Sequence, residues 1–180
     1  MSIMEFIATD TFSSVTDSDR AVSTFTLATG DVLVAIVENI TTATDDALIG
    51  FRLATDGVPN YDAGTAYLYQ TTTSVNGSIV PVGGATSGMW ATNGSSSEQL
   101  GSAAGESMSG IYYFYGLQDS RFTRMEGRAT YEYPAGTNAN GVMAAQHSTA
   151  SAVTHIRFRN NDGNMSGSVH WSVLRASEIA

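Results

Sequence analysis

The sequence predicts an all-β chain, folded as a single-domain antiparallel β-sandwich of jelly-roll-like type. Three observations predict it. Ser and Thr number 21 each among 180 residues, while charged residues make up only 14%. The apolar residues are largely strand formers, and they recur in short runs separated by Gly, Asn and Asp. No stretch sustains a helical period over a dozen residues. About twelve strands without helices in a chain of this size fit a jelly roll.

Taken in order, strands are expected near residues 3–8, 21–28, 32–39, 47–54, 65–73, 78–82, 86–92, 110–117, 122–133, 141–148, 153–159 and 167–175. Alternation sets the faces of several. Phe51 and Leu53 point one way and Arg52 the other. Ile156 and Phe158 point inward, with His155, Arg157 and Arg159 outward. Val169, Trp171 and Val173 form the apolar set of the last strand. Such half-buried strands suit a sandwich with one wet face per sheet. Asp56-Gly57, Asn76-Gly77, Asn93-Gly94, Asn140-Gly141 and Asp162-Gly163 tolerate the positive φ of tight turns. Residues of about 93–107 read as the one long loop, with a helical turn near 97–100. The domain spans 1–180, with segment 1–8 as an arm or an edge strand.

Composition excludes several chemistries. Cysteine is absent, which removes disulfides, thiolate metal sites and a cysteine nucleophile. All eight basic residues are Arg, so there is no Schiff-base or P-loop lysine. A net charge of −9 disfavours a nucleic-acid partner, whose phosphates require cations. The longest apolar run, Val32–Val37, is too short to span a bilayer. The N-terminus has no basic n-region and carries Glu5, so synthesis in a cytoplasm without secretion is expected. Charge divides along the chain. Residues 1–119 hold 13 acids and 2 Arg, and residues 120–180 hold 4 acids and 6 Arg. These halves could pair within one sandwich or between subunits.

Catalytic patterns are missing. Gly84-Ala-Thr-Ser87-Gly88 places its serine one position late for a nucleophile elbow, and Gly105-Glu-Ser107-Met-Ser109 lacks the final glycine. His155 and His170 both sit at outward positions and could be neighbours on one face, yet their spacing with Asp162 lacks the specificity of a metal site. Asp17-Ser-Asp19 and Asn160–Asn164 are oxygen-rich, but the closing Glu of a calcium loop is absent, and the second run reads as a hairpin turn. Nothing selects one glycosidase carboxylate pair among 17 acids. No catalytic, cofactor or metal residues are assigned, and a structural or binding role is expected rather than an enzyme.

Two segments offer interaction surface. Ile3, Met4, Phe6 and Ile7 could pair as an edge strand with another chain, or could form the first strand of their own sheet. In Ile111-Tyr-Tyr-Phe-Tyr115, the alternation allows Ile111, Tyr113 and Tyr115 in the core with Tyr112 and Phe114 at a subunit contact.

Several segments carry a family resemblance. Val153-Thr-His-Ile156-Arg157-Phe158, Gly163-Asn164, Ser166-Gly167-Ser168 and Val169-His-Trp171 form a C-terminal signature. Upstream stand Ala47-Leu-Ile-Gly-Phe51-Arg52-Leu53, Asp56-Gly57 and Ala66-Tyr67-Leu-Tyr69. From about residue 30 to 175 this order resembles a family of tailed-bacteriophage virion proteins. One departure is the last strand, Trp171-Ser-Val-Leu-Arg175, where the family often ends in aliphatic-Tyr-Gly. The resemblance implies a jelly-roll sandwich, commonly trimeric, displayed on the virion surface as a head decoration (cement) protein, head fibre or tail-fibre domain. A first strand beginning almost at Met1 leaves no room for a fibre shaft, so a head decoration protein is expected first. A receptor- or glycan-binding tail component comes second, and a carbohydrate-active enzyme third. The expected partners are the major capsid protein or another virion protein and two further copies of the chain, with a host surface glycan as the partner under the second reading. Should the N-terminal segment be core, contact falls to the acidic loops between residues 40 and 65.

Overall fold

Alternating burial along each strand generates two stacked antiparallel sheets. A computed structural model describes residues 4–57, 60–75, 78–92, 99–134 and 136–176. The strands are β1 (Met4–Val15), β2 (Asp17–Ala21), β3 (Val32–Thr42), β4 (Ile49–Ala54), β5 (Tyr67–Val75), β6 (Ser78–Thr86), β7 (Met89–Trp90), β8 (Met108–Tyr115), β9 (Phe122–Tyr133), β10 (Thr137–Ala150), β11 (His155–Asn160) and β12 (Met165–Leu174). One sheet has eight strands in the order β1-β12-β3-β8-β9-β10-β5-β6. The other has four, β2-β11-β4-β7.

The connectivity is that of a jelly roll carrying two insertions. Without β5–β6 and β9–β10, the sheet β1-β12-β3-β8 faces β2-β11-β4-β7. The chain then crosses between sheets at every step except β4 to β7, which pair directly. This is the path of two Greek keys. Both insertions are hairpins, and both extend the same sheet beyond β8.

Aromatic rings from both sheets lock the core. Phe51 of β4 lies 5.2 Å from Tyr112, 5.0 Å from Phe114 and 5.0 Å from Phe158, centroid to centroid. The Tyr112 and Phe114 contacts are edge-on, the geometry that the ring quadrupole favours. Phe25 and Trp171 pack 5.3 Å apart at the other end. Trp171 Nε1 also donates to Asp10 Oδ2 at 2.8 Å, giving its polar edge a partner.

Several expectations from sequence are corrected. Residues 21–28 do not form a strand. β2 ends at Ala21, and Val22–Phe25 forms a single 3-10 turn that buries Val22 and Phe25 together, with Thr24 Oγ1 donating to the Ala21 carbonyl at 2.6 Å. Asn140-Gly141 is no turn but lies within β10, where Gly141 is buried between β5 and β9. The 160–164 run is not a hairpin turn. It arches from β11 in the small sheet to β12 in the large one, tied by the Asn160 side chain accepting from Asp162 N at 2.9 Å. Asn76-Gly77 and residues 93–98 of the long loop lie outside the described residues.

The acidic and basic halves pair within the sandwich. Arg157 binds Asp19 and Asp17, and Arg175 binds Glu5 and Asp31. Each of these arginines comes from the C-terminal third and each acid from the first 31 residues.

Candidate interaction surface

The two outer faces differ in chemistry. Register defines the outer face of the large sheet residue by residue. One row runs straight across all eight strands: Phe6, Ser172, Val34, Tyr113, Glu126, Ala144, Gln70 and Gly83. The adjacent row is Thr9, His170, Ile36, Ile111, Arg128, Val142, Thr72 and Pro81. Apolar side chains thus cover the middle of a face that an antiparallel sandwich ordinarily leaves polar.

Exposure confirms the asymmetry. The exposed large hydrophobics among the described residues are Met4, Phe6, Leu68, Ile79, Phe122 and Val142, and strand alternation puts all six on this face. Phe6 is 63% exposed, Val142 64% and Ile79 70%. Two broad depressions of about 650 and 560 Å³ lie side by side here, and Arg128 and Val142 form the rib they share. Large exposed hydrophobics gathered on one face favour a contact surface there.

Charged residues are interspersed on this face, and Glu126, Glu38 and His170 have side-chain partners there. The Tyr115 hydroxyl donates to Glu126 Oε1. Burial, reinforced by the Glu126 charge, pushes the Tyr115 phenol up to about 12. His170 bridges two strands, its Nδ1 2.9 Å from Thr9 Oγ1 and its Nε2 2.9 Å from Glu38 Oε2.

The residues singled out in sequence distribute unevenly. Met4 and Phe6 lie on this face, paired opposite Leu174 and Ser172, so segment 4–7 is an edge strand of its own sheet. Ile7 turns the other way, half-buried against the core. Ile3 lies outside the described residues. Tyr112 and Phe114 are fully buried and contribute nothing to a subunit contact. The parity of that strand is the reverse of the expected one, because Phe51 receives both rings between the sheets. Ile111, Tyr113 and Tyr115 take the outward positions. His155 and His170 are not neighbours, since one lies in the small sheet and the other in the large. Among the described residues, no group of three or more His, Cys, Asp or Glu is arranged to hold a metal ion.

Sequence reasoning missed Leu68, Ile79, Phe122 and Val142. A usable signal was present in Val32–Val37 and Ile111–Tyr115, which are apolar or aromatic at both parities. A strand that is apolar on both sides is one that expects cover on both sides. No family model, curated protein or solved structure matches this chain.

Proposed function

We propose that this chain is a structural protein of a tailed-bacteriophage particle, a head decoration (cement) protein that sits on the capsid surface as a homotrimer. The observation that carries the reading is the gathering of every exposed large hydrophobic of the described chain onto one outer sheet face. A cement protein must reach across capsomer boundaries, and a wide face supplies such contact better than a narrow cleft. The two hairpin insertions, β5–β6 and β9–β10, both widen that face. The resemblance of residues 30–175 to virion surface proteins supports the same reading.

Cryo-electron microscopy of particles from a lysate of the strain encoding the chain tests it. Threefold density of this sandwich on the head lattice, apolar face toward capsid or sister copies, is the expected result. Density on the tail, or particles lacking the chain, would overturn it.

A further inference from the structure

The outer face of the small sheet has the opposite character. On β11, Arg157 stands in register between Asp19 of β2 and Arg52 of β4, and Arg159 follows on the same face. Like charges directly opposite one another on a sheet repel. Arg157 is compensated, since its Nε and Nη2 donate to Asp19 at 2.7 and 2.8 Å and its guanidinium lies 4.1 Å from the Tyr61 ring centroid. Arg52 is not. Its Nε donates to the Ser87 carbonyl at 2.6 Å, and it forms no ion pair among the described residues.

A second, independent observation lies in the same cluster. Asp17 Oδ1 and Arg159 Nε are buried polar atoms without a hydrogen-bond partner. Buried polar groups are nearly always paired, and of these two the Arg159 Nε donor calls for an acceptor. Asp17 and Arg159 do attract one another, but at 3.9 Å from Nε to Oδ1 the contact is no hydrogen bond. Charge indicates the sign of the missing group. Arg52, Arg157 and Arg159 face Asp17 and Asp19, which leaves one positive charge uncompensated in a protein whose net charge is −9. Burial, with the charge of Arg159 next, holds the Arg52 guanidinium below its usual pKa against the opposing pull of Asp17.

We propose that this face binds a carboxylate between Arg52 and Arg159. One negative charge balances the cluster, and a planar carboxylate matches the two-pronged donor geometry of a guanidinium. The Asp17 carboxylate lies close by and excludes more highly charged anions by repulsion. This site does not depend on the reading of the apolar face.

Arginine side-chain N–H resonances of the intact protein test it, titrated with acetate and with glucuronate at constant ionic strength held by chloride. Saturable shifts confined to Arg52 and Arg159 are expected, at least about tenfold weaker in binding for Arg52→Gln, the loss of one charge-assisted contact. Tighter binding of glucuronate identifies a sugar-borne carboxylate, and equal binding a bare one. Arg159→Gln serves as the second variant, with circular dichroism as the check of fold in each. Shifts that never saturate, or binding unchanged in folded variants, would overturn the site.

Discussion

Gly127 stands directly opposite Tyr112 in the β8–β9 register, and the tyrosine ring fills the space a side chain at 127 would take. A Cβ there would lie 2.5 Å from Tyr112 Cδ1 and 2.5 Å from the Ile111 carbonyl oxygen. Gly110 makes similar room at the other end of the ring, where a Cβ would fall 2.9 Å from the hydroxyl. The two glycines therefore let the Tyr112 ring turn inward and reach Phe51.

Gly127→Ala should destabilise the fold by about 1–3 kcal/mol, because the backbone atoms it meets cannot move aside as a flexible side chain would. Urea unfolding reads this directly. An unchanged midpoint would mean that β8 and β9 can separate without cost, and the account of Tyr112 packing would fail.

Tyr112→Phe should leave stability unchanged or raise it by about 1 kcal/mol. The Tyr112 hydroxyl is buried without a hydrogen-bond partner, and burial pushes its pKa well above the usual value. Removing an unsatisfied polar atom while keeping the ring eliminates a desolvation penalty. A clear loss of stability would show that the hydroxyl has a bound water.

The strands with apolar alternation were legible in the sequence: β3, β4, β8, β9, β11 and β12 lie close to their expected positions. β1 beyond Ile7 and β2 were not, because their inward positions include Asp10 and Arg20, which pair with each other rather than join an apolar stripe. The inward side of β8 was also hidden. Every residue of Ile111–Tyr115 is apolar or aromatic, so parity was decided by glycines across the sheet at Gly127 rather than by the strand itself. The apolar outer face was illegible for a related reason. Phe6, Val34, Tyr113 and Ala144 come from four strands distant in sequence and become one row only through the register. The same holds for Arg52 and Arg159, which the sequence places on strands but not beside each other.

Acid should weaken the junction between the chain's two ends. Burial alone would raise the Asp31 pKa. The Ala28 and Ala176 backbone N–H groups and the Arg175 guanidinium outweigh it and hold the carboxyl below its usual value. A carboxyl with a depressed folded pKa contributes its full stability above an unfolded pKa near about 4, and loses it as pH falls through the folded value. Stability should therefore decline from about pH 4 downward. Asp31→Asn should be less stable near neutrality and show a shallower decline in acid. Parallel pH profiles for the two proteins would remove Asp31 from the explanation.

The apolar face yields the sharpest separation of folding from assembly. Phe6 and Val142 lie on β1 and β10, with four strands between them in sheet order, both well exposed. An exposed side chain adds little to the isolated fold, so Phe6→Ser and Val142→Ser should each change unfolding stability by no more than about 0.5 kcal/mol. If the face is covered by sister copies or by capsid, those contacts should suffer far more. Multi-angle light scattering of the wild type at micromolar concentration should give three times the monomer mass, and the double variant should shift toward monomer. A wild type that stays monomeric at every concentration would remove the homotrimer. A double variant that keeps its trimer would place the contact elsewhere, with the free edge of β1 the next surface to test.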